Sequence, residues 1–343
     1  MQETKKTNIV KNLFFVFISL VLVLVVVFSL NDIGEIYNAL KGVNLLYVFV
    51  GMGLLLLYMI TTNLSLHFIT TGLGIKLHMI DSMAIGSSEY FFNAITPFSS
   101  GGQPFQAYFY MKKGVSGDNT MAILMSNFII YQVVMTTMST IGLILYYDRV
   151  RVVLDNYFFF ILIGYIMNLS IMVLLVLIST IPQFEKLLNL VLRGLGKIKF
   201  LKKTMEKAEK KTVAFVTNFQ ISMGLLFKRK RVLIGASLLR IAGLILLNSI
   251  PYVIFLALGV NLSPSDLVFV IAMTLFASTF MLWIPTPGAT GGTEWAFTVI
   301  FSSLITGATA VLVTSMLIWR FVTYYFGMLV GFASYIVVRK RGI

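Results

Sequence analysis

Cysteine is absent from the chain, which excludes disulfides, iron–sulfur clusters and a thiol nucleophile. Histidine is scarce: His67 and His78 are the two present, and with no acidic cluster beside them they cannot make a dedicated zinc site. No metal and no cofactor is expected. No Walker A phosphate loop occurs, so ATP-driven work by this chain is not expected either. Charge is thin as well. Asp, Glu, Lys and Arg together make 12% of the residues, against about 25% in soluble domains.

What fills the sequence instead is apolar. Of 343 residues, 58% are hydrophobic and 14% aromatic, with a mean hydropathy of +0.91. Low charge with many aromatics excludes disorder, and the composition fits an all-α polytopic integral membrane protein. Apolar runs of helix length fall at roughly 13–30, 45–68, 120–147, 157–181, 232–258 and 308–338. Each approaches or exceeds the ~20 residues that cross a ~30 Å hydrocarbon core. Lys5, Lys6 and Lys11 precede the first run and no A-x-A cleavage site follows it, so it reads as a retained signal anchor with its N-terminus inside.

Alternation from that anchor places both termini in the cytoplasm. The net charge of +14 then sorts by side. Lys41, Arg149 and Arg151 fall outside, Arg240 and Arg320 fall within spans, and every other Lys or Arg lies on a cytoplasmic segment. This is positive-inside bias, and it accounts for the basic character without nucleic acid. Segment 182–231 holds thirteen Lys and Arg against three Glu. Its apolar residues recur at helical spacing, which reads as an amphipathic helix on an anionic membrane surface or as a plain cytoplasmic loop.

Two further apolar stretches, near 82–112 and 266–305, are broken by Pro and Gly. The first carries NAITPFSSGGQPFQAYFY at 93–110 and the second WIPTPGATGGTEWAF at 283–297. Both contain T-P-x-x-x-G-G, at 96–102 and at 286–292, with spans at similar distances before and after. Such agreement predicts an internal duplication, with halves of about 1–147 and 157–338 in one membrane domain. The helices expected at 82–96, 103–112 and 294–305 are too short to cross comfortably at 1.5 Å per residue. The expected architecture is therefore about six full spans plus two re-entrant helical hairpins, arranged as an inverted repeat. The alternative is eight full spans with Pro kinks.

Ionisable residues at membrane depth are costly and usually functional. Glu89, Arg240, Glu294 and Arg320 are the candidates, and the economical arrangement is two ion pairs, Glu294–Arg320 and Glu89–Arg240. They either lock the hairpins or leave an arginine fork to meet an anionic substrate group. After each glycine pair a half-helix begins, near Gln103 and near Thr293, with unsatisfied N–H groups suited to phosphate. Gly101, Gly102, Gly291 and Gly292 would let backbone approach a ligand. Ser99, Ser100, Thr290 and Thr293 offer hydroxyls that either bind it or cap their own helices.

N-A-I-T-P-F-S-S-G-G-Q-P at 93–104, P-x-P-G-x-x-G-G-x-E at 285–294 and W-R-F-x-T-Y-Y at 319–325 together resemble the membrane region of bacterial lysylphosphatidylglycerol synthases (multiple peptide resistance factor). The resemblance covers nearly the whole chain and implicates Pro97, Gly101, Gly102, Pro287, Gly291, Glu294 and Arg320. Many relatives have an acidic residue where this chain has Gln103, so no proton-coupling role is carried over to that position. The resemblance implies a flippase or transporter that moves an anionic or aminoacylated phospholipid, or a polyprenyl phosphate, between leaflets of the bacterial plasma membrane. The implied alternative is a phosphatidylglycerol lysyltransferase, using lysyl-tRNA and contributing to cationic-peptide resistance. The chain ends soon after its last span, with no room for the family's cytosolic transferase domain, so a separate soluble lipid-modifying enzyme is the implied partner.

Overall fold

A computed structural model describes residues 33–181 and 223–341 apart from 282, 285, 303 and 306–308, together with a few positions between 186 and 221. The anchor expected at 13–30 and most of the basic segment 182–231 lie outside the described residues. Among those described, regular structure is entirely helical.

The helices are α1 (Ile33–Lys41), α2 (Leu45–Gly72), α3 (Met79–Ala94), α4 (Gly102–Lys112), α5 (Gly117–Leu145), α6 (Tyr147–Leu154) and α7 (Phe158–Thr180). The second part of the chain adds α8 (Lys230–Asn248), α9 (Ile250–Ala257), α10 (Pro264–Met281), α11 (Gly292–Phe301), α12 (Thr309–Arg320) and α13 (Gly327–Lys340). Capping follows from local chemistry. The Asn44 side chain accepts from the Leu46 N–H at 3.1 Å, satisfying an otherwise orphan donor of α2. His78 does the same for α3 through Nδ1 and the Ile80 N–H, so its imidazole has a capping role. Pro251 lies in the first turn of α9, where its missing N–H costs least, and it marks the break between α8 and α9.

Among the described residues, six helical stretches are long and apolar enough to cross a membrane: Leu45–Gly72, Gly117–Leu145, Tyr147–Ser179, Lys230–Ala257, Pro264–Met281 and Thr309–Lys340. Five match expected runs. The sixth, Pro264–Met281, is the first arm of the second interrupted stretch. It is 18 residues long, or about 27 Å at the helical rise. By contrast α3, α4 and α11 have 16, 11 and 10 residues, about 24, 16 and 15 Å, short of a ~30 Å core.

Contacts at the helix ends sort the molecule into two end layers. At one end Arg229 donates to the Gly72 carbonyl, and Asp81 meets both Lys113 and Arg341. At the other end the Asn44 N–H donates to the Ala257 carbonyl at 2.8 Å, and Arg149 meets Asp266 at 3.0 Å. The helix pair α3–α4 therefore begins and ends at the first layer. Helix α10 begins at the second. Between the arms of each pair lies a short 3-10 turn, Pro97–Ser99 and Pro287–Ala289, and the two turns touch one another.

Their backbones also match. Phe98 and Gly288, two residues after the matching threonines, have φ/ψ of 56/18 and 59/22. Ser99 and Ala289 follow with φ of 48 and 54. Packing runs crosswise, with α3 against α13 and α10 against α5. The main apolar core is gathered from α2, α7, α9, α10, α11 and α12, with Phe255, Phe269, Phe276 and Phe297 each at most 1% exposed.

Candidate functional site

The second turn and the end of α12 bring the expected charge pair together. Glu294 opens α11 and is fully buried, while Arg320 closes α12 at 4% exposed. Glu294 Oε1 stands 2.7 Å from Arg320 Nε. The N–H is not aimed at that oxygen, so the contact is a charge contact, not a directed hydrogen bond. The other carboxylate oxygen accepts from the Gly291 N–H at 2.6 Å, a charge-assisted bond at the positive end of the helix.

Arg320 is held from further sides. Its Nη2 donates to the Gly288 carbonyl at 3.2 Å and to Thr290 Oγ1 at 3.1 Å. The Tyr324 ring lies 4.5 Å from its guanidinium carbon, within cation–π range. Immediately after Arg320 the helix loosens into a π-helical turn, Phe321–Phe326, a feature frequent at functional sites. That turn swings Thr323 and Tyr324 to the same face as the arginine.

This face borders a cavity of about 220 Å³. Arg320, Trp319, Thr323 and Tyr324 form one wall. Tyr58 of α2 and Tyr90 of α3 form another, and Asn248 of α8 with Thr274 and Ser278 of α10 complete the polar lining. The volume is below the ~300–1,000 Å³ of ordinary ligand pockets, room for a small polar group only.

The first turn is built differently. Gly102 N–H donates to Asn93 Oδ1 at 2.8 Å and Gly101 N–H to Thr96 Oγ1 at 2.9 Å. The expected anion-binding amides there are thus occupied by side chains of the same hairpin. A Cβ on Gly102 would sit 2.3 Å from Glu89 Cγ, and one on Gly101 2.7 Å from Thr96. A Cβ on Gly292 would sit 2.2 Å from Ile284. These glycines allow hairpin arms to close on each other, where ligand approach was expected. Gly291 alone of the four requires its backbone form, with φ of 91.

Of the remaining candidates, Thr290 and Thr293 are buried beside Glu294. Thr293 Oγ1 donates to the Ala289 carbonyl, a local bond back into the turn and not the helix cap expected of it. Pro97 and Ser99 lie in the first turn and Pro287 in the second. Ser100 and Gln103 are exposed, and neither lines the cavity.

The second expected ion pair does not form. Glu89 accepts from Asn93 Nδ2 at 3.2 Å and from Gln106 Nε2 at 2.8 Å. Arg240 instead donates to Asn127 Oδ1 and lies 5.6 Å from the Tyr131 ring. Neutral polar partners displaced the pairing, although Glu89 remains within electrostatic range of Arg240. Among the described residues no group of His, Cys, Asp and Glu could hold a metal.

Residues that sequence reasoning missed are Tyr58, Tyr90 and Asn127. Tyrosines in an apolar chain give no signal that separates cavity from packing, whereas Trp319, Thr323 and Tyr324 were inside a quoted motif. No curated protein matches the chain. A family model, the lysylphosphatidylglycerol synthase TM region, matches residues 13–331. The six apolar helices among the described residues, two touching turns and an arginine-walled cavity thus sit in a chain that belongs to that family, a multi-pass membrane protein with a lipid-related role.

Proposed function

We propose that the protein is a lipid flippase or transporter, presenting the phosphate of an anionic or aminoacylated phospholipid, or of a polyprenyl phosphate, to Arg320. The observation that carries this reading is the position of that guanidinium. It is buried at 4% exposure, touches the second hairpin turn through Gly288 and Thr290, and walls a polar cavity. A planar cation with five donors suits a phosphodiester, and its partner carboxylate keeps the site stable when empty.

The architecture in this reading is an inverted repeat, halves about 1–147 and 157–338, with two re-entrant hairpins. Three observations support it: matching turn conformations, hairpins that begin at opposite end layers, and turns that meet. Discontinuous helices meeting at the repeat interface are where secondary transporters bind substrate. The setting is a bacterial plasma membrane. The end layer holding Lys113, Arg229 and Arg341 is cytoplasmic, by the positive-inside bias. The basic segment 182–231 would lie on the anionic leaflet there. A separate soluble enzyme would supply any lysyl lipid.

The test is reconstitution into phosphatidylcholine vesicles carrying a fluorescent phosphatidylglycerol, with a quencher confined to the outside. Protein-bearing vesicles are expected to lose nearly all the signal and protein-free vesicles about half. Equal loss in both overturns the reading. So does formation of aminoacylated lipid when the purified chain is given lysyl-tRNA and phosphatidylglycerol, since that assigns the transferase role.

A further inference from the structure

Arg240 is 6% exposed and stands within α8, away from Arg320. Its hydrogen bond goes to a neutral amide, Asn127 of α5. Its Nε is buried with no hydrogen-bond partner, and among the described residues no carboxylate lies within 4.0 Å of it. A guanidinium removed from water without a counter-charge in contact is costly and rare at membrane depth. Arg320 carries its own carboxylate. Arg240 does not.

The groups facing Arg240 are Glu89 from α3, Tyr58 from α2 and Tyr131 from α5, all within its electrostatic range. Tyr58 also walls the Arg320 cavity beside Tyr90. The two rings meet edge to face, 6.1 Å between centroids. Tyr58 thus borders the Arg320 cavity and also lies within range of the second cation. Depth matches as well. Counting along α8 from Lys230 and along α12 from Thr309, Arg240 lies about 15 Å from one end layer and Arg320 about 16 Å from the other, at 1.5 Å per residue.

We propose that Arg240 is a second phosphate station, which takes the headgroup from the Arg320 cavity past the Tyr58–Tyr90 pair. This rests on the lipid-transport reading and adds a route to it. An arriving phosphodiester supplies the contacting counter-charge that Glu89, acting only at longer range, does not, and Nε supplies a free donor. Two cations at mirrored depths give the headgroup one station toward each leaflet.

Photo-cross-linking tests occupancy directly. The chain carrying p-benzoylphenylalanine at position 131 is placed in vesicles of phosphatidylcholine, with and without phosphatidylglycerol. Phosphatidylglycerol is expected to cross-link in clear preference to phosphatidylcholine, whose choline cation offsets the charge of its own phosphodiester. Arg240→Gln is expected to reduce the product at least about tenfold, the loss of one charge-assisted contact, while Arg240→Lys keeps most of it. Should the glutamine variant misfold, Asn127→Leu, which frees the guanidinium from its anchor, is expected to reduce it several-fold. Equal cross-linking of both lipids, or a folded Arg240→Gln or Asn127→Leu chain that cross-links normally, overturns the station. Excess inorganic phosphate is expected to leave the product intact, because the acyl chains retain the headgroup; displacement assigns the site to free phosphate and overturns the lipid station. The transport assay separates the two claims. Cross-linking without lipid movement sinks the flippase reading and leaves the station; movement without cross-linking does the reverse.

Discussion

The Tyr324 hydroxyl donates to the Ala94 carbonyl at 3.0 Å, joining the end of α3 to the π turn that follows Arg320. The same ring lies over the second hairpin turn, where a Cβ on Gly288 would be 2.1 Å from it. One side chain thus braces both hairpins beside the cavity. It helps to hold the two turns against one another.

Gly288→Ala tests that brace. Gly288 and Gly114 both have positive φ, 59 and 84, so alanine at either pays about 1–2 kcal/mol of left-handed strain. At Gly114 a Cβ meets nothing within 4 Å, whereas at Gly288 it meets an aromatic ring. Overpacking adds about 1–3 kcal/mol. Thermal unfolding in detergent is expected to show the larger drop for Gly288→Ala. Equal drops would mean that the Tyr324 ring gives way freely.

Much of this was legible in sequence, for identifiable reasons. Hydropathy marked the spans because a membrane helix needs a continuous apolar run. The repeated T-P-x-x-x-G-G marked the turns because threonine, proline and glycine each have a local backbone role there. Glu294 and Arg320 were paired on depth alone, and depth sufficed because both close on the same turn. The same logic failed for Glu89 and Arg240. Asn127, Asn93 and Gln106 took the partners' places, and neutral amides in apolar runs carry no charge signal. The π turn and the Tyr58–Tyr90 wall were invisible, since both exist through contacts between distant helices.

The Asp81 clasp gives a pH dependence. Burial raises the Asp81 carboxyl, but hydrogen bonds and charge from Arg341 and Lys113 outweigh it and leave it below its ordinary value. A carboxyl depressed in the folded state stabilises it above the unfolded pKa of about 3.9, and that contribution fades as pH falls through the lower folded value. Asp81→Asn is therefore expected to lower the thermal midpoint at pH 7, with the gap to wild type closing only in acid below about pH 4. A gap that closes between pH 7 and 5 would point to another group.

Side-specific labelling tests the orientation. The chain has no native cysteine, so single cysteines at Lys76, Lys112 and Arg151 report cleanly. Lys76 lies in the loop between α2 and α3, and Lys112 precedes the Lys113 that meets Asp81 at 3.2 Å. Both are expected to react with an impermeant maleimide only from the cytoplasmic side, and Arg151 only from outside. Labelling of either Lys76 or Lys112 from outside would overturn the cytoplasmic hairpin.

Arg320→Lys separates a substrate arginine from a structural one. Truncating Arg320 or Glu294 alone leaves a buried charge unpaired, at a cost of about 3–5 kcal/mol, so loss of activity in either says little. Lysine keeps the positive charge opposite Glu294 but cannot present the planar fork that reaches Gly288, Thr290 and a phosphate together. Expression and thermal midpoint are expected to stay near wild type, while phosphatidylglycerol binding and transbilayer movement fall about tenfold, the equivalent of ~1.4 kcal/mol. The paired change Glu294→Gln with Arg320→Met removes both charges; it is expected to recover stability over either truncation and to remain silent in transport, because the cavity then has no cation at that wall. A stable lysine variant with full activity would assign Arg320 to holding the second hairpin and leave phosphate recognition to another group.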